Sequence, residues 1–369
     1  MVRAKAFSRN TEIAKMETSS LVLPIIDISL PDKISTAQLI RKACVEHGFF
    51  YVKNHGISEE LMKGTFRESK SFFDLPLEEK MSLLRHDLLG YTPLYAEKLD
   101  PSLTSSTGDS KESFYLGSLE GTLAQRYPNQ WPPDDLLPSW RQTMECYYKN
   151  VLSVGQKLLG LIALALDLDE GFFKQNGALN DPTAVVRLLR YPGEVILSDG
   201  ETYGASAHSD YGMVTLLLTD GVPGLQVCRD KSKQPRVWED VPGLRGAFIV
   251  NIGDMMERWT NGLFRSTLHR VMPVGKERYS VVFFLDPNPD CNVECLESCC
   301  SETCPPRFPP ILAGDYIKER FSNGTTLDKP VRIKNTLYLW WEKVCELHIN
   351  NTPETEASFQ PVALMEISF

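Results

Sequence analysis

From residue 183 onward the chain is written in short apolar runs. Ala184–Tyr191, Thr215–Leu218, Leu225–Cys228, Ala247–Ile252 and Tyr279–Leu285 are rich in Val, Ile, Leu and aromatic residues, with Gly, Pro, Asn and Asp between them. Each run predicts a strand, and many strands at this spacing predict a sandwich or a barrel. The first half reads differently. Residues 21–28 (LVLPIIDI) read as extended, and Ser35 is a candidate cap for a helix running through His47. A strand follows at Phe49–Lys53, and Ser58 is a plausible cap for a helix carrying Leu61, Met62, Phe66, Phe72 and Phe73. Residues 87–120 show no periodicity and predict a long irregular segment, in which the charged run Asp109-Ser110-Lys111-Glu112 reads as a solvated loop. Pro132 and Pro133 precede a helical region over 138–176. The expected fold class is mixed α/β (α+β), a helical N-terminal part wrapped on a C-terminal β core.

Charge and hydropathy narrow the function classes. The 369 residues carry 39 Lys and Arg against 48 Asp and Glu, a net charge of −9, which argues against a phosphate-backbone partner. The longest apolar stretch, Val151 to Leu168, is interrupted by Gln156, Lys157 and Asp167. A membrane span needs about 20 mostly apolar residues, so this stretch predicts a buried helix with Leu152, Leu158, Leu159, Ile162 and Leu166 on one face. Arg3, Lys5, Arg9 and Lys15 face only Glu12 across residues 1–16, which reads as a frayed tail before Met16 rather than an organellar transit peptide. Nine cysteines without a secretory signal point to reduced thiols and a cytoplasmic location. Five of them, Cys291, Cys295, Cys299, Cys300 and Cys304, follow a C-x3-C-x3-C-C-x3-C spacing. That is not the paired C-x2-C of zinc sites, and it reads as a thiol-rich surface loop. The expected organisation is a disordered tail over 1–20, a mostly helical domain over 21–180, a β domain over 181–345 and a polar tail over 346–369.

The chemistry concentrates in the β half. His208 and Asp210 stand two apart in Ala207-His208-Ser209-Asp210-Tyr211-Gly212, and residues i and i+2 of a strand share a face. His269, in Ser266-Thr267-Leu268-His269-Arg270-Val271, lies far enough downstream for several strands to return beside them. Two His and one carboxylate with open coordination positions form the facial triad of non-haem Fe(II) oxygenases, whereas a closed structural zinc site wants a fourth protein ligand. The open positions would take a chelating co-substrate and O2. Arg278 and Ser280 are again two apart, and a guanidinium fork with a hydroxyl beside it suits the distal carboxylate of a dicarboxylic keto acid.

Taken together, these residues resemble the Fe(II)- and 2-oxoglutarate-dependent dioxygenases of the isopenicillin N synthase type, especially the soluble plant enzymes. The similarity extends over residues 21–345. Its motifs are H208-S-D210, V250-N-I-G-D254, S266-T-L-H269-R-V and R278-Y-S280, with L23-P-I-I-D27, H47-G-F-F-Y-V-K-N-H55-G56, F72-F-D-L-P76, Lys80 and Gly90-Tyr91 upstream. His47 and His55 fall in elements read as structural. One departure is Leu189 in Leu189-Arg190-Tyr191-Pro192-Gly193, where many plant members have Asn, so the flavonoid-oxidising and ethylene-forming branches fit less well. The cysteine-rich insert after Asp286-Pro287-Asn288 is a second departure.

The resemblance implies a double-stranded β-helix (jelly roll) core with surrounding helices. It implies Fe(II) on His208, Asp210 and His269, with 2-oxoglutarate as co-substrate paired to Arg278 and Ser280 and contacted by Tyr191. Such an enzyme hydroxylates or otherwise oxidises a small organic molecule, often in secondary metabolism, and releases succinate and CO2. Tyr95, Phe114, Tyr115, Tyr203, Tyr211 and Phe284 are the candidate substrate contacts, and the family expectation is a monomer without nucleic-acid or membrane partners. Two other readings remain at this level: an Fe(II) oxidase of the same fold that does not use 2-oxoglutarate, and a non-catalytic ligand-binding protein on this fold.

Overall fold

The computed structural model describes residues 21–100, 102, 108–194 and 202–324. The tails expected over 1–20 and 346–369 lie outside these residues. The strands of the two larger sheets are β1 (Ile25–Asp27), β2 (Phe49–Lys53), β3 (Gly90–Thr92), β4 (Glu112–Leu116), β5 (Thr183–Tyr191), β6 (Ala205–His208), β7 (Val214–Thr219), β8 (Leu225–Cys228), β9 (Trp238–Asp240), β10 (Phe248–Ile252), β11 (His269–Val271) and β12 (Arg278–Asp286). The helices are α1 (Lys33–Glu46), α2 (Glu59–Phe73), α3 (Leu77–Ser82), α4 (Gly121–Arg126), α5 (Trp140–Ala165), α6 (Phe172–Gln175), α7 (Asp254–Trp259) and α8 (Ala313–Gly324).

Eight strands form one sheet in the order β1-β2-β10-β7-β12-β5-β4-β3, and β6-β11-β8-β9 form a second. Only β1 and β2 pair in parallel in these two sheets. This is the jelly-roll core that the family resemblance implied and the strand rhythm allowed. The large sheet is buried on both faces, and that explains its almost unbroken apolar strands. Along β12, Tyr279, Val281, Phe283 and Leu285 pack into the core shared with the helices, while Arg278, Ser280, Val282 and Phe284 line an inner cleft. Along β5, Val186 and Leu188 join the helical core, while Leu189 and Tyr191 join the inner apolar cluster with Phe49, Leu225, Ile249 and Val271.

Helix α2 begins as the sequence predicts, with the Ser58 hydroxyl accepting from Leu61 N at 3.2 Å. Helix α1 begins earlier than Ser35. Asp32 is its cap, and its carboxylate accepts from Ser35 N at 3.0 Å, a stronger acceptor placed where the free N–H groups are. The helical region over 138–176 is α5 followed by α6, and the chain reverses at Asp167, whose φ is +59°.

Residues 87–120 are not irregular throughout, since they contain β3 and β4. Nor is Asp109–Glu112 solvated, because all four residues are buried. Both faces of β4 are covered, so no alternation of apolar and polar residues marks it. Phe114 and Leu116 face the helical core, whereas Ser113 and Tyr115 bond to groups on the cleft side. Among the described residues no helix is long and apolar enough to cross a membrane.

Phe72 anchors the helical core. Its ring lies against Phe73, Tyr91, Phe114 and Trp140 and is fully buried. Phe72→Ala is expected to cost about 3–5 kcal/mol, seen as a lower denaturant midpoint at unchanged slope. A shift below about 1 kcal/mol would show that α2 does not depend on this ring.

Candidate metal centre

His208 ends β6 and His269 begins β11, and the two residues are direct cross-strand partners. Their ring centroids lie 4.3 Å apart. His208 Nδ1 lies 2.7 Å from Ser206 O, and His269 Nδ1 lies 3.1 Å from Thr267 O. A carbonyl can only accept, so Nδ1 carries the proton in both rings and each Nε2 presents a lone pair. Those two Nε2 atoms converge on Asp210 Oδ1, at 3.7 and 3.6 Å. The carboxylate's other oxygen is already used: Oδ2 accepts from Thr215 Oγ1 at 2.6 Å and from Asn251 Nδ2 at 2.7 Å.

The strand pleat does not aim Asp210. β6 stops at His208, and Asp210 lies in the following loop. That loop is held by the start of α7, where Asp254 N donates to Asp210 O at 2.8 Å and Met255 N to Gly212 O at 3.0 Å. The two backbones approach so closely that a Cβ on Gly253 would collide with Gly212 O. The His269 side is fixed by the H47-G-F-F element. Thr267 Oγ1 donates to His47 O at 2.8 Å, and the Phe49 ring meets His269 edge-on at 5.5 Å. Gly48 has φ +67°, and a Cβ there would collide with Arg265 O, so only glycine lets this segment close. His55 lies against Phe248, with Nε2 3.2 Å from Gly246 O. It is structural, as expected.

Electrostatics suit a cation. Burial, followed by the charge of His269, pushes His208 down to about 4. Burial opposes ionisation of Asp210, but the two imidazoles and the donors Thr215 and Asn251 outweigh it and hold the carboxyl below its ordinary value. With Nδ1 of each ring directed at a backbone carbonyl, the three residues turn two ring nitrogens and one carboxylate oxygen toward one point, all within 4.8 Å of one another. They are the one such group of His, Cys, Asp or Glu among the described residues. The donor set fits an Fe(II) ion with open positions, with ligand orientation fixed by outer partners.

The same cleft holds two sets of cations. Arg278 is buried and lies over the Tyr191 ring at 4.9 Å, with Nε donating to Val222 O at 3.2 Å and Nη1 to Ser280 Oγ at 3.4 Å. No carboxylate of the described residues pairs with it. Lys111 and Arg187, also buried, do have carboxylates. Lys111 Nζ is 2.6 Å from Asp109 Oδ2 and 3.1 Å from Glu97 Oε2, and Arg187 Nη2 is 2.5 Å from Glu97 Oε2. Burial opposes ionisation of Glu97, yet Arg187 and Lys111 hold it well below the usual carboxylate range.

Of the candidate substrate aromatics, Phe284 lines the cleft. Tyr115 stands behind Arg187, 4.4 Å from its guanidinium. Phe114 packs between Phe72 and Trp140 in the helical core, away from the cleft. Tyr211 lies under Arg320 at 4.7 Å, Tyr203 near Arg270 at 5.7 Å, and Tyr95 adopts φ +62° in the loop before β4. None of these last three lines the cleft. Thr215 and Arg187 carry no sequence motif, Asn251 falls within V250-N-I-G-D254 without a role assigned to it, and Lys111 falls in the run read as a solvated loop. A polar residue inside an apolar strand, as in Phe248-Ile-Val-Asn-Ile or Ala184-Val-Val-Arg, was the available signal. The cysteines Cys291, Cys295, Cys299, Cys300 and Cys304 are free thiols, of which Cys291 is buried.

Residues 23–134 match the N-terminal family described for the non-haem dioxygenase in morphine synthesis, and residues 182–287 match the 2OG-Fe(II) oxygenase superfamily. Azadirone synthase LFS of Melia azedarach is 44% identical over 310 residues, covering 81% of this chain and 92% of that protein. A 2-oxoglutarate-Fe(II) type oxidoreductase of Emericella nidulans is 36% identical, covering 79% and 85%. The crystal structure of a full-length Neurospora crassa protein in complex with alpha-KG superposes with a TM-score of 0.72 at 28% identity, over 83% of this chain and 98% of that one. JOX2 in complex with 2OG, Fe and JA superposes with a TM-score of 0.67 at 30% identity, over 80% and 84%.

Thr215→Val is expected to lower affinity for a divalent cation about 10- to 100-fold, since it frees the outer oxygen of Asp210. Thr215→Ser should restore it, and unchanged calorimetric affinity in the valine variant would refute the role. Glu97 ionises more readily in the folded state than in the unfolded chain. Its contribution is thus complete above about pH 4.5, its ordinary value, and is lost as pH falls toward the depressed folded value. Glu97→Gln should cost about 3–5 kcal/mol at neutral pH and flatten the acid limb of the stability curve; an unaltered limb would exclude Glu97 as its source.

Proposed function

The chain belongs to the 2-oxoglutarate- and Fe(II)-dependent dioxygenases of the soluble plant type, and from that premise we propose that His208, Asp210 and His269 hold the iron and that Arg278, Ser280 and Tyr191 hold 2-oxoglutarate. The protein is an oxidoreductase that uses Fe(II), 2-oxoglutarate and O2 to oxidise a small organic molecule. Bound iron supplies the oxidising chemistry, coupling decarboxylation of the co-substrate to succinate and CO2 with attack on the substrate.

The observation that supports this residue assignment best is the contrast between the two sets of cations. Lys111 and Arg187 have internal carboxylates, while Arg278 has none among the described residues. A buried guanidinium without an anion is costly, and one carboxylate against its planar fork relieves that cost. The register supports this reading: Ser280 stands beside Leu189 on β5 and Arg278 beside Tyr191, further along β12 from Phe284, whose neighbour Thr215 bonds Asp210. The metal-site residues and Arg278 line the same cleft, which is the arrangement a dicarboxylic keto acid held at both ends would need.

What the chain's own residues do follows from this. The backbone carbonyls behind the imidazoles fix which nitrogen meets the metal. Thr215 and Asn251 keep Asp210 from turning, and the apolar walls Leu189, Leu225 and Val271 exclude water around the co-substrate. The relatives named as synthases support a substrate from secondary metabolism. The free thiols support a cytosolic enzyme, and the family expectation of a monomer goes with it.

Anaerobic Fe(II) titration with 2-oxoglutarate should give the weak visible charge-transfer band of a chelated keto acid, absent in Asp210→Ala. Iron binding without the band would favour an oxidase that does not use 2-oxoglutarate. Arg278→Ala should raise the KM for 2-oxoglutarate about 10- to 100-fold with little change in iron affinity. An unchanged KM would remove Arg278 from the site.

A further inference from the structure

Lys111 and Arg187 line the same cleft as the three metal-site residues, and neither is needed for the metal or for the carboxylate partner of Arg278. Along β5, Arg187 is one inward position beyond Leu189 and pairs with Val282 rather than Ser280. It therefore sits about 7 Å closer to the metal end of the strand than the Ser280 level. Lys111 is tied to the His208 side. Its partner Asp109 accepts from Ser206 N at 3.1 Å, and Ser206 O is the carbonyl that fixes the His208 ring.

The hydrogen-bond balance of this cluster is one-sided. Glu97 Oε1 accepts from the Tyr115 hydroxyl at 3.2 Å, and Oε2 is shared by Lys111 and Arg187. Asp109 Oδ1 takes Ser206 N, and Oδ2 takes Lys111 and, at 3.3 Å, Leu99 N. All four carboxylate oxygens are thus engaged. Donors remain: an ammonium has three N–H groups, of which Lys111 uses two, and Arg187 Nε is buried without a partner. The charges of Glu97, Asp109, Lys111 and Arg187 cancel, and Arg85, whose charge also acts on Glu97 and whose guanidinium lies 4.5 Å from the Tyr115 ring, does not line the cleft. An anion placed here would bring an uncompensated charge into a buried site, whereas a neutral oxygen acceptor would satisfy the spare donors. Leu99, Leu217, Val282 and Phe284 supply apolar walls nearby.

We propose that Lys111 and Arg187 are the polar end of the organic-substrate site and select an uncharged molecule with an apolar body and an accepting oxygen, such as a ketone, lactone or alcohol. This rests on the iron and 2-oxoglutarate assignment, which places the oxidation beside the pair.

Acetophenone, ethylbenzene and benzoate form a matched ketone, hydrocarbon and anion of similar size. Ligand-observed NMR on the full chain, with and without Fe(II) and 2-oxoglutarate under argon, reads their binding independently of turnover. Acetophenone is expected to bind about tenfold more tightly than either of the others. That preference should fall to within about twofold in Arg187→Met and in the charge-neutral pair Asp109→Asn/Lys111→Met, with 2-oxoglutarate affinity unchanged. Equal binding of the three probes, tightest binding of benzoate, survival of the preference in both variants, or a tenfold loss of 2-oxoglutarate affinity in them would each overturn the proposal. If neither variant folds, the wild-type order of the three probes decides. Failure of the cofactor assignment would appear separately, as a missing charge-transfer band in the wild-type protein.

Discussion

The site depends on one carboxylate shared between two sheets. Asp210 follows the last residue of β6 in the small sheet, yet its outer oxygen is held by Thr215 of β7 and Asn251 of β10 in the large one. Its inner oxygen faces two imidazoles that are cross-strand neighbours in the small sheet. Taking an ionised carboxyl out of water is expensive, and two short hydrogen bonds to its outer oxygen offset part of that cost. The clamp also ties the two sheets to each other at this point. The start of α7 adds backbone donors to the same loop, so the position of Asp210 does not rely on its own side-chain rotamer alone.

Much of this was legible. Every β-half strand expected from the apolar runs is present within a residue or two of its ends, because strands buried on both faces leave dense Val, Ile and Leu between turn residues. His208, Asp210, His269, Arg278 and Ser280 converge on one cleft, as their spacing and order suggested. Spacing in a strand does not account for Asp210, however: β6 ends at His208, and the carboxylate is held by residues on two other strands. Asp109–Glu112 was misread for a related reason: a charged run looks solvated until its partners are known. Those partners are distant in sequence, with Glu97 and Ser206 for Lys111 and Asp109, and Lys80, Tyr91 and Arg190 for Glu112. No local pattern encodes such pairings. Phe114 shows the same limit, since its side of β4 is set by strand register and not by its aromatic character.

The cleft sorts its charges by whether they are already matched. At one end a guanidinium over the Tyr191 ring has a backbone carbonyl and a hydroxyl for company. At the other, two cations are locked to two carboxylates and keep only spare N–H groups. A low-dielectric cleft amplifies that difference.

The balanced cluster of Glu97, Asp109, Lys111 and Arg187 also bears on how such a protein could change over generations. Replacing any one member strands an opposite charge in the interior, so a single substitution there would be felt in folding before any effect on chemistry. Divergence at this wall should therefore proceed in coupled pairs, while Leu99, Leu217 and Val282, which carry no charge, are free to drift one at a time. New specificities would accumulate first on the apolar side of the cleft.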